Sequence, residues 1–282
     1  MAPLRPSAQW ALLLALSLAL AALLALAAFP AAFLLGPLLA GIAVALRGAT
    51  VRVPRACFLV AQALIGCLVA RAMTGSILLT LAADWPLMLL TVATTIVAGG
   101  SVGWALTRLE VLPGTTAAWG SSPGAASAMV AMAEEFGADP RLVALMQYLR
   151  VVTVALSASL VSRLLVGGTH GGGAPRAPEP LVPPPLPLLA TLAVALAGGV
   201  IGRRLRIPAG PLLAPMAVGG TLHATGLVAI TLPPWLMAAA YVALGWYVGL
   251  RFDRETTRRA LRAIPRLILA SLALIALCGF SA

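Results

Sequence analysis

GTTAAWGSSPGAASAMVAMAEEFGADPRLVALMQYLRVVTV, Gly114 to Val154, is the stretch where small, polar and charged residues interrupt an otherwise apolar chain. Two short apolar arms, Thr115 to Gly120 and Ala125 to Ala133, flank Ser121-Ser122-Pro123-Gly124. A serine followed by proline is a helix-start signal, so Ser122 is predicted to cap a helix beginning at Pro123. Neither arm can cross a bilayer. At 1.5 Å per residue the second arm, with Glu134, covers about 15 Å of a ~30 Å hydrocarbon core. Two half-length helices joined by a break predict a re-entrant hairpin over 114–135. Irregular backbone at membrane depth survives only when buried in protein or lining a cavity, so a ligand site or a path is expected here.

The remainder of the chain agrees with a membrane setting. Hydrophobic residues make up 61% of 282 positions, and the mean hydropathy is +1.02. A polytopic membrane protein follows, and a soluble fold is set aside. All 19 basic residues are arginine against eight acidic ones, for a net charge of +11. In a soluble protein this would suggest nucleic acid; beside so many apolar runs the positive-inside bias explains it better, and no nucleic-acid partner is expected. Cys57, Cys67 and Cys278 lie in apolar segments without CxxC spacing and read as packing residues. His170 and His223 stand apart, so no metal-ligand cluster is recognised, no cofactor is expected, and the chain does not read as an enzyme.

Spans are predicted at Trp10 to Ala28, Pro30 to Leu46, Ala56 to Met73, Trp85 to Leu106 and Arg141 to Val166. Four more follow at Leu188 to Gly202, Pro208 to Thr225, Trp235 to Leu250 and Ile264 to Phe280. Between the groups, Gly167 to Pro187 is rich in glycine and proline and reads as an exposed linker. It separates a first membrane repeat, 1–166, from a second, 188–282. The halves match when slid by 178 positions: Pro30, Leu34, Leu35, Pro37 and Gly41 fall on Pro208, Leu212, Leu213, Pro215 and Gly219. With one insertion, Pro54, Gly66, Val69, Pro86 and Gly100 meet Pro233, Gly245, Val248, Pro265 and Gly279. An internal duplication is the reading.

Arginine placement orients the repeats. If the hairpin returns to its own side, fifteen of the 19 arginines share one face; Arg71, Arg163 and Arg176 lie on the other, and Arg150 lies within a span. By the positive-inside rule the crowded face, with the N-terminus, is cytoplasmic. The second repeat then enters from the opposite face, which predicts an all-α inverted-repeat protein of the secondary-transporter kind. The second copy reaches Ala282 opposite Gly103, without a counterpart to the hairpin. The expectation is a shortened chain or fragment whose missing half comes from a longer reading frame or a homodimer.

The predicted site centres on Arg150, about 13 Å along the helix from Arg141 and so near the midplane. Gln147, Arg150 and Ser157 share a helix face. Ser121, Ser122, Pro123, Gly124, Gln147 and Arg150 are the candidate substrate-binding residues. A helix N-terminus at Pro123 and the arginine fork both favour a small anionic solute. Two alternatives stand beside that reading. Arg150 can cap carbonyls of the broken hairpin as structural glue, and carbonyls near Trp119 and Gly120 can hold a sodium coupling ion. Asp139 before Pro140 reads as an N-cap. Arg251, Arg254, Arg258, Arg262 and Arg266 recur along one face and read as a loop helix drawn to the anionic headgroups of the lipid bilayer.

Pro123, Gly124, Met129, Gly137, Ala138, Asp139, Gln147, Arg150 and Val154 carry a resemblance to the membrane AbrB family. There a Pro-Gly turn precedes a methionine-bearing segment, a G-A-D and a Q-x-x-R-x-x-x-V. The resemblance covers almost the whole chain. It implies a multi-pass protein of the bacterial inner (plasma) membrane, whose members are described as transporters, as regulators of gene expression, or by an older ammonia monooxygenase label. The family is distinct from the soluble DNA-binding regulators that share its name. A secondary transporter of a small anion is the leading expectation, and a membrane regulator of gene expression is its rival.

Overall fold

A computed structural model describes residues 5–27, 29, 31–109, 115–122, 124, 126–165, 183–207 and 209–281. Every element among them is a helix. In chain order these are α1 Pro6–Leu26, α2 Ala32–Leu46, α3 Arg55–Ala70, α4 Gly75–Ala83, α5 Trp85–Arg108 and α6 Thr116–Ser121. They continue as α7 Ala126–Glu135, α8 Pro140–Leu165, α9 Pro185–Arg204, α10 Gly210–Ala224, α11 Pro234–Gly249 and α12 Arg254–Ser281. Three of them, α1, α5 and α9, are long and apolar enough to cross a membrane. Four that the sequence marks as spans are shorter, α2 and α10 at 15 residues and α3 and α11 at 16. That is about 22–24 Å of helix, short of a full hydrocarbon core.

Further differences from the sequence reading are local. Helix α4, capped by Thr74, whose Oγ1 accepts from the Ile77 N–H at 3.4 Å, lies where the sequence marks no element. The arginine-bearing segment is no separate loop helix. It forms the first half of α12, which runs through Pro265 to Ser281. Of the predicted linker, 167–182 lie outside the described residues, and α9 already begins at Pro185.

The chain forms two compact units. One holds chiefly residues up to 24, 32–90 and 183–254; the other holds chiefly 91–165 and 255–281. In the first unit the helices repeat the sequence offset. Helices α2 and α10 start at 32 and 210, 178 apart, and α3 and α11 start at 55 and 234, 179 apart. Pro37 and Pro215, matched by that offset, each stand inside their helix and are fully buried.

Packing in this unit is reciprocal. A Cβ on Gly66 of α3 would strike the Leu212 carbonyl and crowd the Met216 nitrogen of α10; one on Gly245 of α11 would strike the Leu34 carbonyl and the Leu38 nitrogen of α2. Gly41 of α2 likewise meets Gly249 of α11, and Gly219 of α10 meets Ala70 of α3. Each half thus presses its own helix onto the other half's backbone, which only a missing side chain allows.

Polar side chains of α1 and α9 hold the connecting segments. Gln9 Oε1 accepts from the Thr50 and Val51 N–H groups at 2.9 and 3.3 Å, and Thr191 Oγ1 accepts from the Thr231 N–H at 2.9 Å. Between α1 and α11, Trp246 Nε1 donates to Ser17 Oγ at 2.8 Å beside the Trp10–Trp246 ring pair. Leu13, Ala40, Val44, Val51 and Leu250 form the buried cluster under them.

Candidate functional site

The second unit contains the stretch that the sequence reads as a broken hairpin. Its arms fold close to the expected positions, as α6 and α7, but the break is placed differently. Ser122 does not open the second arm. It closes the first, with its N–H on the Ala118 carbonyl at 3.0 Å and an extended ψ of 132°. The second arm begins at Ala126, three residues after the predicted start, and Pro123 lies outside the described residues. A serine hydroxyl can serve either side of a break; here the Ser122 Oγ donates back to Ala118 O at 2.7 Å.

Helix α7 ends where Gly137, with φ at +73°, turns the chain and lets the Ala138 N–H reach the Ala133 carbonyl at 2.9 Å. Asp139 then caps α8, its Oδ1 accepting from the Arg141 N–H at 2.9 Å. The Asp139 N–H donates to Thr116 Oγ1 at 3.2 Å, tying the start of α6 to the start of α8. Stacked Trp119 and Phe136, 5.3 Å between ring centroids, join the two arms. Arg141 reaches α12, donating to Thr256 Oγ1 at 3.0 Å.

Against this frame α8 brings Gln147 and Arg150 to the carbonyl end of α6. Gln147, fully buried, donates through Nε2 to Trp119 O at 3.2 Å and Ser122 O at 3.1 Å. Arg150 Nη1 donates to Ser121 O at 3.2 Å and Ser122 O at 3.3 Å, and its Nη2 donates to Gln147 Oε1 at 2.6 Å. A helix that stops leaves its last carbonyls without partners and a partial negative charge at its end. Gln147 and Arg150 satisfy both conditions at once.

These acceptors of Arg150 are all neutral. The hairpin end therefore keeps a net positive charge, and among the described residues the Nε and the second Nη2 hydrogens have no acceptor. Arg150 also borders a small pocket with Val102 and Leu106 of α5, Gly120 and Ser121 of α6, Met146 of α8, and Leu267, Ala270 and Ser271 of α12. Its volume of about 20 Å³ accommodates one water-sized group.

Of the candidate residues, Ser121, Ser122, Gln147 and Arg150 come together, the serines mainly through their backbone carbonyls. Gly124 is exposed, and a Cβ there would meet the Met129 side chain. Sequence reading did not find Ser271 of α12, which lines the pocket. A lone serine in the apolar run from Leu267 to Leu277 is the available signal.

The profile described as "Transition state regulatory protein AbrB" matches residues 33–282. A relative from Escherichia coli (strain K12), named "Putative regulator AbrB", is 47% identical over 277 residues, which is 97% of this chain and 78% of that protein. No solved structure matches. The matched region includes the hairpin, its Gln147/Arg150 helix and both paired-helix segments, and the chain belongs to the AbrB family.

Proposed function

We propose that this chain is a multi-pass membrane protein of secondary-transporter type that binds a small anionic solute at Arg150. The observation that carries the proposal is a half-buried guanidinium whose described acceptors are three neutral oxygens and whose free edge borders a pocket. A charge left without a counter-ion in low dielectric is costly and attracts an anion. A carboxylate suits the arginine fork, and the Ser271 hydroxyl, which lines the same pocket, is a further donor. The pocket admits only a water-sized group, so a carboxylate solute needs a more open conformer, as alternating access requires.

The architecture reading belongs to the same proposal. The 178-residue helix offset, the reciprocal glycine contacts and the arginine bias support an inverted repeat with a re-entrant hairpin. The arginine bias also supports an inner-membrane setting with a cytoplasmic N-terminus.

A second reading, regulation of gene expression from the membrane, is favoured by the names of the family and of the relative. Thermal unfolding of the purified chain against a panel of carboxylates and inorganic anions separates the two. At least one anion is expected to raise the midpoint saturably, and Arg150→Lys, which keeps the charge but loses the fork, should weaken its binding by about 1–3 kcal/mol. No anion response, together with loss of regulatory output on charge reversal at Arg258 and Arg262, decides for the regulator.

A further inference from the structure

The carbonyl end of an interrupted membrane helix is where transporters of this architecture hold a coupling cation, because the helix dipole is negative there and several carbonyls converge. In this chain those oxygens already have donors. Trp119 O and Ser122 O take the Gln147 amide at 3.2 and 3.1 Å, and Ser121 O and Ser122 O take Arg150 Nη1 at 3.2 and 3.3 Å. Gln147 Oε1, the remaining oxygen of the group, faces Arg150 Nη2 at 2.6 Å. A sodium ion arriving here would have to displace the amide from two carbonyls and sit beside a fixed positive charge.

We propose that Arg150 is the resident cation of this cluster: its guanidinium, tethered to α8, stands where a soluble coupling ion would otherwise bind, and the chain takes no sodium there. Two consequences follow. The protein is indifferent to the identity of the monovalent cation in solution. Removing the guanidinium leaves a cradle of three oxygens, Ser121 O, Ser122 O and Gln147 Oε1, shaped for a planar, multiply donating cation, which a soluble guanidinium derivative can enter.

The test follows thermal unfolding of the purified full chain in detergent, at constant ionic strength, in sodium, potassium or choline chloride. The unsubstituted protein should unfold at the same midpoint in all three. Arg150→Ala should unfold lower by about 5 °C or more, since several charge-assisted hydrogen bonds are lost. Methylguanidinium, kept well below denaturing levels, should recover at least half of that loss while choline recovers none. Arg150→Lys retains a tethered charge and should stay indifferent to sodium.

A saturable sodium-dependent rise of the unsubstituted protein's midpoint would overturn the proposal. So would a helical, folded Arg150→Ala variant whose midpoint ignores methylguanidinium. Should Arg150→Ala not yield folded protein, the sodium comparisons on the unsubstituted chain and on Arg150→Lys decide the matter. No arm contains a test anion, so the outcome is independent of whether the anion reading holds.

Discussion

Around Gly66 and Gly245 two helices touch backbone to backbone, whereas around Ser121 and Ser122 a backbone is interrupted and side chains close the gap. In the first unit the contacting turns of α3 and α11 are continuous helix, so these helices need nothing from their neighbours except room, and glycine supplies it. In the second unit the stop after Ser121 leaves carbonyls that only outside donors can satisfy, and Gln147 and Arg150 provide them. Apolar close packing tolerates almost any small residue that fits. A broken helix instead demands particular donors in particular places.

That contrast can be broken most severely at the glycines. Gly66→Ala and Gly245→Ala each add a methyl against main-chain oxygen, where no flexible side chain can yield. Alanine is the better helix former by about 1 kcal/mol, yet the clash should leave a net loss of about 2–3 kcal/mol, read by thermal unfolding in detergent. Because the two contacts are counterparts, their losses should agree within about 0.5 kcal/mol. A native-like Gly66→Ala variant would show that the helices can part there at little cost.

Gln147→Leu probes the other side of the comparison. It keeps the volume but removes the donor to Trp119 O and the acceptor of Arg150 Nη2, and should cost about 2 kcal/mol, since Ser122 O keeps Arg150 while Trp119 O is left without a partner. Its effect should exceed that of an isosteric change at an exposed polar position of α8. An unchanged midpoint would mean that water serves that carbonyl and that the hairpin end is wet.

The smallest effect is expected at the mouth. Asp139→Ala removes the α8 cap and should cost about 1 kcal/mol, while Asp139→Asn, which still accepts from the Arg141 N–H, should cost only a few tenths. Equal losses for the two variants would assign the role to the 3.7 Å ion pair with Arg141 instead.

Much of this was legible in the sequence because it rests on local spacing. The two arms of the hairpin, the Asp139 cap, the shared face of Gln147 and Arg150, and the 178-residue offset all depend on residues near one another or on simple repetition. What was not legible depends on partners far along the chain or on a choice between equal local options. Ser122 reads as a start or a stop with equal ease, and only the fold assigns it to the end of α6. The direction of the Arg150 fork, onto the first arm's carbonyls, needs the 28 or 29 residues between them to be folded. Ser271 meets the site from a helix more than 100 positions away. The last span is predicted to start at Ile264, but α12 already runs from Arg254 and passes through Pro265.

The reciprocal glycine contacts also bear on how the protein is made. The groove that receives Gly66 is formed by Leu212 and Met216, and these leave the ribosome long after Gly66 does. At about 5–20 residues per second, the roughly 150 residues in between take about 8–30 s to synthesise. Throughout that interval α3 has no α10 to rest on, and neither half can finish its packing alone. Newly made first halves are therefore a waiting species, with an unfilled glycine face open to chaperones or to the wrong helix of a neighbouring nascent chain.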